Sequence, residues 1–306
     1  MDKLQAMKTF VRVVEAGSFS AVAHESDTTQ SAVSKQVAGL EQALGARLLM
    51  RTTRSLALTE EGARYFEQVR RLVAEIAEAE GALRTGEQEL TGWLRVAASV
   101  GFGRLKLMPL MQSFLAEHGG VKIDLRLSDG FVDLVEQGID VAVRLGELPD
   151  SSLIARRIGT ARRWLVAHRD YLRRLPKGKK APRAPEDLLH HNCLVYTEVP
   201  WRNSWTLTAG PGAPEPVGTT RVVRVEGNLQ TNSSEVMRAS VLAGMGIGYS
   251  PTWLFDPEIA SGEVQHLLPD WEAAAIPIHL VSPRERRHSA KVKAFAEHVG
   301  KAMVVD

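Results

Sequence analysis

The sequence predicts an α/β fold class: an N-terminal winged helix-turn-helix, a long linker helix and a C-terminal two-lobed α/β domain. Three observations predict this order. Residues 18–58 have the pattern of two short helices around a tight turn, followed by a basic hairpin. Residues 59–90 repeat apolar side chains at helical spacing. From about residue 91 onward, short apolar strands alternate with amphipathic helices, as in domains with parallel sheets.

The supporting helix and the first helix of the motif precede residue 26. Ser20 can cap a short helix that ends at about Glu25. The small side chains of Ala21 and Ala23 would let a crossing helix approach closely. A turn at residues 26–29 follows. Before this motif, apolar residues at helical spacing predict a supporting helix: Leu4, Met7, Phe10, Val11 and Val14.

The second helix of the motif, from about Gln30 to Leu40, is the candidate DNA-recognition helix. An amide can pair with adenine, hydroxyls bond to base edges or phosphate, and a lysine reaches guanine or the backbone. These residue types occur together at the outward N-terminal end of the helix: Gln30, Ser31, Ser34 and Lys35. The residues expected to face inward are Ala32, Val33, Val37 and Leu40.

A basic hairpin follows this helix and is expected to form the wing. Residues 30–58 hold Lys35 and three arginines against one acid, Glu41, so the local charge is +3 although the whole chain is only +2. Taken singly, such residues are common on solvated surfaces, but their ordered combination favours binding to a polyanion. The wing arginines are Arg47, Arg51 and Arg54, of which the last two join the predicted DNA contacts.

The order of these motifs resembles the LysR-type transcriptional regulators. The matching segments are AGSFSAVA, TQSAVSKQVAGLE and LGARLLMRTTRSLALTEEG near the N-terminus, and DGFVDLVEQGIDVAVRLGELPDSSL with LAGMGIGYSPTWL later, which is similar to the CrgA-like branch. Ser26 and Leu49 depart from the usual pattern, which has a buried leucine and often a phenylalanine there. A polar Ser26 at a buried position needs a hydrogen-bond partner or costs about 1 to 3 kcal/mol.

The linker helix is predicted to begin after Thr59, a good capping residue, with Glu60 and Glu61 in its first turn. Residues 59–90 hold eight acids and four arginines, a charge of −4, which argues against packing along DNA. The helix could pack on its own domain, but the family resemblance favours dimerisation, with Thr85, Gly86 and Gly92 as a hinge. Its apolar seam is Phe66, Val69, Val73, Ile76 and Leu83.

The predicted domains are 1–58 for DNA binding, 59–90 for the linker and 91–306 for effector binding. Within the last domain, lobe I is expected to cover about 91–162 and 268–306, and lobe II about 163–267. Strands are predicted from Leu94, over 121–127, over 140–144 and over 277–281, and a second unit starts near Arg163. Helices are predicted over 102–116, over 131–137 and around Val292, Phe295 and Val299, and 209–218 is expected to be an exposed loop.

Two lobes joined by crossing strands imply a cleft, and the resemblance implies a fold similar to periplasmic solute-binding proteins. Ligands favour the carboxyl ends of strands and helix N-termini. We therefore expect contacts from Ser99, Val100, Gly101 and Phe102, whose N–H groups suit a carboxylate, and from Ser128, Arg144, Tyr196, Trp201, Asn232 and Ile247. Asn232 would cap a helix from Ser233, with Glu235 closing a capping box. The alternative is that these polar groups only satisfy nearby backbone.

No residue pattern predicts a cofactor, a metal or catalysis. Cys193 is the only cysteine, so an intramolecular disulfide is excluded. We interpret it as a buried apolar residue rather than a redox sensor. The adjacent His190 and His191 would project in different directions, which does not favour metal binding. The basic run 169–183, with seven lysines and arginines, is interpreted as a solvated face, with contact to DNA or polymerase as the alternative.

The sequence thus predicts a cytoplasmic homodimer or homotetramer that binds double-stranded promoter DNA and a small-molecule effector, a carboxylate among the candidates. Contact with RNA polymerase is a further expectation. No signal peptide or membrane span is predicted. Two alternatives from other classes stay open: an enzyme or transport binding protein on the same two-lobed fold, and an architectural DNA-binding protein that ignores ligands. An enzyme would need a catalytic constellation and a transport protein would need an export signal. Neither feature is apparent in the sequence, which argues against the first alternative.

Overall fold

The computed structural model describes residues 2–51, 56–82 and 90–303, and the chain forms two compact units, Met1–Glu89 and Leu90–Asp306. Arg54, Leu83, Thr85 and Gly86, which carry sequence-based predictions, lie outside the described residues.

The N-terminal unit contains four helices and a two-stranded antiparallel wing. Phe10 is fully buried at its centre, with ring centroids 5.9 Å from Tyr65 and 6.3 Å from Phe66. The predicted order of helices and wing is confirmed. The elements are α1 (Lys3–Ala16), α2 (Phe19–Glu25), α3 (Gln30–Leu44), β1 (Leu49–Arg51), β2 (Leu56–Leu58) and α4 (Glu60–Ala82).

Three local predictions about the helix-turn-helix are corrected. The cap of α2 is Ser18, whose hydroxyl accepts from the Ala21 N–H, and Ser20 lies inside the helix. Ala21 is exposed, so only Ala23 allows close packing. Helix α3 continues four residues past Leu40, to Leu44.

Ser26 is exposed at the end of α2, and its N–H donates to the Val22 carbonyl at 3.0 Å. The expected cost of burying a polar side chain therefore does not arise. Leu49, the other departure from the family pattern, is buried at the start of the wing.

The C-terminal unit is built of short strands and helices in two lobes. The early part contains β3 (Gly92–Ala98), α5 (Val100–Phe102), α6 (Met108–Glu117), β4 (Val121–Leu127), β5 (Val141–Leu145), β6 (Ile154–Ala161), β7 (Arg163–His168), α7 (Arg169–Arg173) and β8 (Cys193–Tyr196). The later part contains β9 (Ser204–Ala209), β10 (Thr220–Arg224), β11 (Gln230–Thr231), α8 (Ser234–Leu242), β12 (Ile247–Pro251), α9 (Asp256–Ala260), β13 (Val264–Leu267), β14 (Trp271–Ala273), β15 (Ile276–Ser282) and α10 (Ala290–Met303).

Each lobe has a five-stranded mixed sheet. In lobe I the order is β4-β3-β5-β15-β6, in which β3 runs parallel to β4 and β5, whereas β15 is antiparallel to β5 and β6. In lobe II the order is β11-β8-β12-β7-β13, and a separate antiparallel sheet has the order β10-β9-β14. The chain therefore enters lobe II between β6 and β7 and returns between β14 and β15.

Two predicted boundaries in this unit are wrong. Residues 131–137 form an irregular segment and a turn instead of a helix. The Asp133 carboxylate accepts from the N–H groups of Val135 and Glu136, and the backbone bonds that follow span four, three and five residues, from Gln137, Gly138 and Ile139 in turn. The return to lobe I lies after Ala273 and not at 268, since β14 pairs with β9 of lobe II. The strand over Val121–Leu127 and the loop between β9 and β10 are confirmed.

One apolar core extends across both lobes, and a second core lies within lobe II. The shared core includes Phe102 and Phe114 from lobe I and Trp253 and Phe255 from lobe II. Cys193 belongs to the second core, and His191 beside it is buried with its ring Nδ1 3.0 Å from the Tyr171 hydroxyl. Over the described parts of the chain, every helix is too short or too polar to cross a bilayer.

Gly62 in the first turn of α4 packs directly against the wing, and a Cβ there would overlap the Leu48 carbonyl oxygen. We expect Gly62→Ala to destabilise the N-terminal unit by about 1 to 3 kcal/mol, because backbone must shift to admit the methyl group. Thermal unfolding of the full chain tests this. Gly119→Ala, at an open turn with no neighbouring atom within 4 Å, is the control. An unchanged melting temperature for Gly62→Ala would contradict the packing.

Burial raises the pKa of the Cys193 thiol to about 12, and the side chain is fully buried. At pH 8 the thiolate fraction should therefore be about a thousand-fold below that of an unfolded chain. We expect a thiol reagent such as DTNB to label the native protein very slowly and the denatured protein at once. Equal labelling rates in the two states would show that Cys193 is accessible and would revive a redox role.

Candidate DNA-binding surface and effector cleft

Helix α3 presents the predicted polar residues at its N-terminal end. Thr29 caps the helix through a 3.2 Å bond from the Ala32 N–H, and its hydroxyl lies 3.0 Å from that of Ser31. On the opposite side of the helix, Val33, Val37 and Leu40 are buried in the core. The cap and the core together orient the outward face, on which Gln30, Ser31 and Lys35 are exposed and Ser34 is half-buried. Ala32, predicted to face inward, is half-buried.

Two polar contacts fix α3 against its neighbours. The buried Thr9 hydroxyl of α1 lies 2.6 Å from the Gln36 amide oxygen of α3. Near the other end of α3, one carboxylate oxygen of Glu41 accepts from the N–H groups of Leu48 and Leu49 at 2.8 and 3.1 Å. Sequence reasoning treated Glu41 only as a charge opposing the arginines. Its seven-residue separation from Leu48 crosses a helix end, so no periodic pattern could have revealed the contact.

The wing is fastened to the start of α4 by Thr59. Its hydroxyl donates to the Arg47 carbonyl at 2.6 Å and accepts from the Gly62 N–H at 2.9 Å, which confirms the predicted cap. Arg47 is exposed at the base of the wing, and Arg51 is the last residue of β1. Arg54, the other predicted wing contact, lies outside the described residues.

The predicted dimerisation seam on α4 begins within the protomer. Phe66 packs on the Phe10 ring, and Val69 is only 1% exposed in the single chain. The side chains further along remain more accessible: Val73 and Ile76 are half-buried and Leu72 is 49% exposed. Phe66 and Val69 are therefore covered within the protomer, and the accessible apolar side chains of the predicted face lie C-terminal to Val69.

In the C-terminal unit, β3 ends at Ala98, and Ser99 precedes a helical run over 100–117 that includes a π-helical turn at Gly103–Leu107. Two of the N–H groups predicted to bind a ligand carboxylate already have partners. The Val100 N–H donates to Asp129 Oδ1 and the Gly101 N–H donates to the Ser234 hydroxyl, each at 3.0 Å. Phe102 is buried, with its ring 5.4 Å from that of Trp253.

Asp129 and Ser234 connect the two lobes. Asp129 follows β4 of lobe I, and Ser234 is the first residue of α8 in lobe II. Asp129 accepts from the Ser234 N–H at 2.7 Å and from its hydroxyl at 2.8 Å. Neither residue was predicted. The only available signal was that Asp129 directly follows a strand end, next to the predicted Ser128.

Tyr196 lies near this carboxylate. Burial raises the pKa of the Tyr196 hydroxyl, and the charges of Asp129 and Glu198 raise the pKa further. The surroundings of Tyr196 are therefore acidic. An acidic environment opposes the binding of a second anion beside Asp129.

Ser128 directly follows β4 and Arg144 is the last residue but one of β5, so both lie at strand ends as predicted, on either side of β3. The exposed Ser128 hydroxyl is 3.4 Å from the Gly130 carbonyl. Arg144 donates to the Val132 carbonyl at 2.7 Å, and its guanidinium carbon is 4.6 Å from the Phe131 ring centroid. Burial lowers the pKa of Arg144. Arg144 therefore lies near the end of β5 and helps to hold the turn that follows Asp129 through its bond to Val132.

Two lobe II predictions are corrected. Ser233, not Asn232, caps α8 by accepting from the Val236 N–H, and Asn232 is exposed. Glu235 forms no capping box there. Instead, its carboxylate pairs with Arg104 of lobe I at 3.0 Å.

Two of the three apolar residues predicted to contact a ligand, Trp201 and Ile247, pack in the lobe II core. Ile247 is fully buried on the face of β12 that packs with Cys193, so it offers no surface to a ligand. Trp201 packs on Tyr249, with ring centroids 5.3 Å apart, and Arg163 lies 4.6 Å from the Trp201 ring. Burial lowers the pKa of Arg163, whose charge faces these two rings. Alternation along β12 explains the result, because residues 247 and 249 face away from α8.

Within the residues that the structure describes, no group of three or more His, Cys, Asp or Glu side chains is placed to hold a metal ion. The polar arrangement in the C-terminal unit is instead one of hydrogen-bond donors around a carboxylate.

Family models match both units. The model described as the bacterial regulatory helix-turn-helix protein, lysR family, matches residues 4–63, and the LysR substrate binding domain matches residues 87–304. The first match covers the helix-turn-helix with its wing, and the second covers the two-lobed unit.

Relatives of known class match over most of the chain. The transcriptional regulator CrgA of Neisseria meningitidis serogroup C is 35% identical over 264 residues, 86% of this chain and 84% of the relative. A transcriptional repressor of Pseudomonas aeruginosa is 34% identical over 301 residues, 98% of this chain and 92% of its own.

Solved structures agree. The structure of CrgA from Neisseria meningitidis has a TM-score of 0.63 at 31% identity and covers 98% of this chain and 99% of its own. Full-length AphB from Vibrio cholerae has a TM-score of 0.59 at 27% identity, with 98% and 99% covered. The predicted fold class and the resemblance stated from the sequence are confirmed. The chain belongs to the LysR family: it is a DNA-binding transcriptional regulator with a substrate-binding effector domain.

Proposed function

We propose that this regulator binds dyad-symmetric promoter sites as a homodimer or a dimer of dimers, and that a small molecule in the C-terminal cleft alters how it sits on DNA. The observation that carries the DNA-binding part is the exposed polar end of α3, capped by Thr29 and fixed to the wing by Glu41. Gln30, Ser31, Ser34 and Lys35 would enter the major groove, and Arg51 and Arg54 would contact the flanking backbone.

Dimerisation through α4 would place two recognition helices in one molecule. Since Phe66 and Val69 are covered within the protomer, the seam proposed for the described residues is Leu72, Val73 and Ile76. Ile76 lies four residues after Leu72 and three residues after Val73, so it can share one side of the helix with each of them. Two-fold symmetry in the protein then matches two-fold symmetry in the DNA site.

The effector would bind in the cleft near Ser99, Ser128, Arg144 and Tyr196. To switch transcription it must bind one arrangement of the protein more tightly than the other, and a coupling of about 1 to 3 kcal/mol is typical. We propose that the protein works in the cytoplasm, where promoter DNA is found, and that it has no catalytic role. Contact with RNA polymerase is part of the same proposal.

Lys35→Ala should weaken binding to the promoter region of the protein's own gene. If Lys35 contacts phosphate, the slope of log affinity against log salt concentration should decrease in magnitude by about one. Fluorescence anisotropy across a salt series measures both quantities. Lys3→Ala, which removes an exposed lysine from α1, is the matched control. Equal losses for the two variants would indicate that only net charge matters, and the placement of α3 would be wrong.

Ile76→Asp should convert the protein to monomers, because a carboxylate in the apolar seam would be buried without a partner. Ala74→Asp places the same charge on the exposed side of the same helix and should leave the oligomer intact. Sedimentation velocity distinguishes the two results. A dimer or tetramer that survives Ile76→Asp would move the interface away from this part of α4.

A further inference from the structure

The cleft contains a carboxylate that belongs to the chain itself. We propose that Asp129 is a built-in ligand of the effector cleft, which holds the two lobes together in the absence of any small molecule and excludes small external carboxylates from that subsite. This inference rests on the proposed effector role of the C-terminal unit. It concerns how the cleft is occupied, and not whether the N-terminal unit binds DNA.

The geometry around Asp129 is that of a bound anion. One oxygen accepts from the Val100 N–H at 3.0 Å, and the other accepts from the Ser234 N–H at 2.7 Å. The Ser234 hydroxyl contacts both oxygens, at 3.0 and 2.8 Å. The two N–H groups come from the starts of two helical runs in different lobes, where the helix itself supplies no acceptor. A carboxylate is the group that such donors favour.

The donors leave no room for a second ligand at this subsite. The Gly101 N–H donates to the Ser234 hydroxyl, and a Cβ on Gly101 would lie 3.0 Å from that hydroxyl and 3.1 Å from a methyl group of Leu254. The absence of a side chain at residue 101 therefore permits the close approach of the lobes.

Neighbouring contacts hold the same two surfaces together. Arg104 pairs with Glu235 at 3.0 Å, and Lys106 pairs with Asp256 at 2.6 Å, in both cases from the helical run of lobe I to lobe II. These pairs are partly exposed, so each contributes little by itself. Asp129 differs from them because both its partners and its own carboxylate are half-buried.

The consequence is that removal of the Asp129 side chain should create a vacant carboxylate subsite. In Asp129→Ala, formate or acetate can occupy the position and restore the lost hydrogen bonds. In the native protein, the same anions would have to displace a tethered carboxylate that is always present at high local concentration.

Carboxylate rescue tests the proposal on the full chain. Asp129→Ala should melt at a lower temperature than the native protein, and sodium formate or acetate should raise that temperature in a saturable manner beyond the effect of sodium chloride at equal ionic strength. A ligand present at about ten times its Kd shifts the folding equilibrium by roughly ten-fold. The native protein should show no difference between the salts.

Two control variants separate the subsite from general effects. Asp133→Ala removes another carboxylate that accepts backbone N–H bonds, at Val135 and Glu136, and its loss of stability should not be rescued by formate. Ser234→Ala removes the hydroxyl but retains Asp129, so it should destabilise the protein without rescue. Equal rescue of native protein and Asp129→Ala, or no rescue beyond chloride, would overturn the proposal.

If Asp129→Ala does not fold, Asp129→Asn provides the decisive variant. Its amide NH₂ group would face N–H donors, so the melting temperature should fall, whereas an unchanged value would overturn the proposal. Promoter binding is measured on the same preparations. If the native protein does not bind promoter DNA, the proposed function is contradicted but the Asp129 proposal is not. Carboxylate rescue is measured by thermal unfolding, which does not depend on DNA.

Discussion

The N–H groups at the start of each helix need acceptors from outside that helix, and this need governs how both units are assembled. In the N-terminal unit, short side chains next to each helix provide the acceptors: Ser18 for α2, Thr29 for α3 and Thr59 for α4. In the C-terminal unit, the acceptor for the run over 100–117 is remote in sequence, because Asp129 lies 29 residues after Val100. A local requirement of helix geometry therefore becomes a tertiary connection.

This connection relates the two lobes to each other. The chain crosses between them twice, and one apolar core includes residues of both. Against that apolar background, the polar contacts of Asp129 with Ser234 specify a single alignment of the lobe surfaces. Apolar packing tolerates small shifts, whereas a carboxylate with several short bonds does not.

The sequence was most informative where the structure is periodic. The helices of the N-terminal unit, the strand over Val121–Leu127 and the buried face of α10 follow directly from apolar spacing. Errors arose where a side chain bonds to backbone at short range. Ser18, and not Ser20, caps α2, and the Asp133 carboxylate bonds to backbone N–H groups within 131–137. Which of two nearby side chains makes such a bond depends on local backbone geometry, which the spacing of apolar residues does not encode.

The candidate sites show the same division. The outward face of α3 could be predicted because it is the complement of a buried apolar face. Strand ends indicated where the two lobes face each other. They did not indicate that Asp129 and Ser234 bond there, because these residues are separated by 105 positions in the sequence. Ile247 was misplaced because both faces of a central strand are apolar, and apolarity alone does not tell which core a residue enters.

The contacts of Thr59 have a mechanical consequence. One hydroxyl group bonds to the backbone at the base of the wing and to the first turn of α4, and Gly62 allows the two backbones to touch. These contacts couple the hairpin directly to the first turn of α4, so the hairpin and the start of that helix should move as one body. Because Glu41 of α3 accepts from the N–H groups of Leu48 and Leu49 beside the same hairpin, a displacement of the start of α4 would move the hairpin and the recognition helix together.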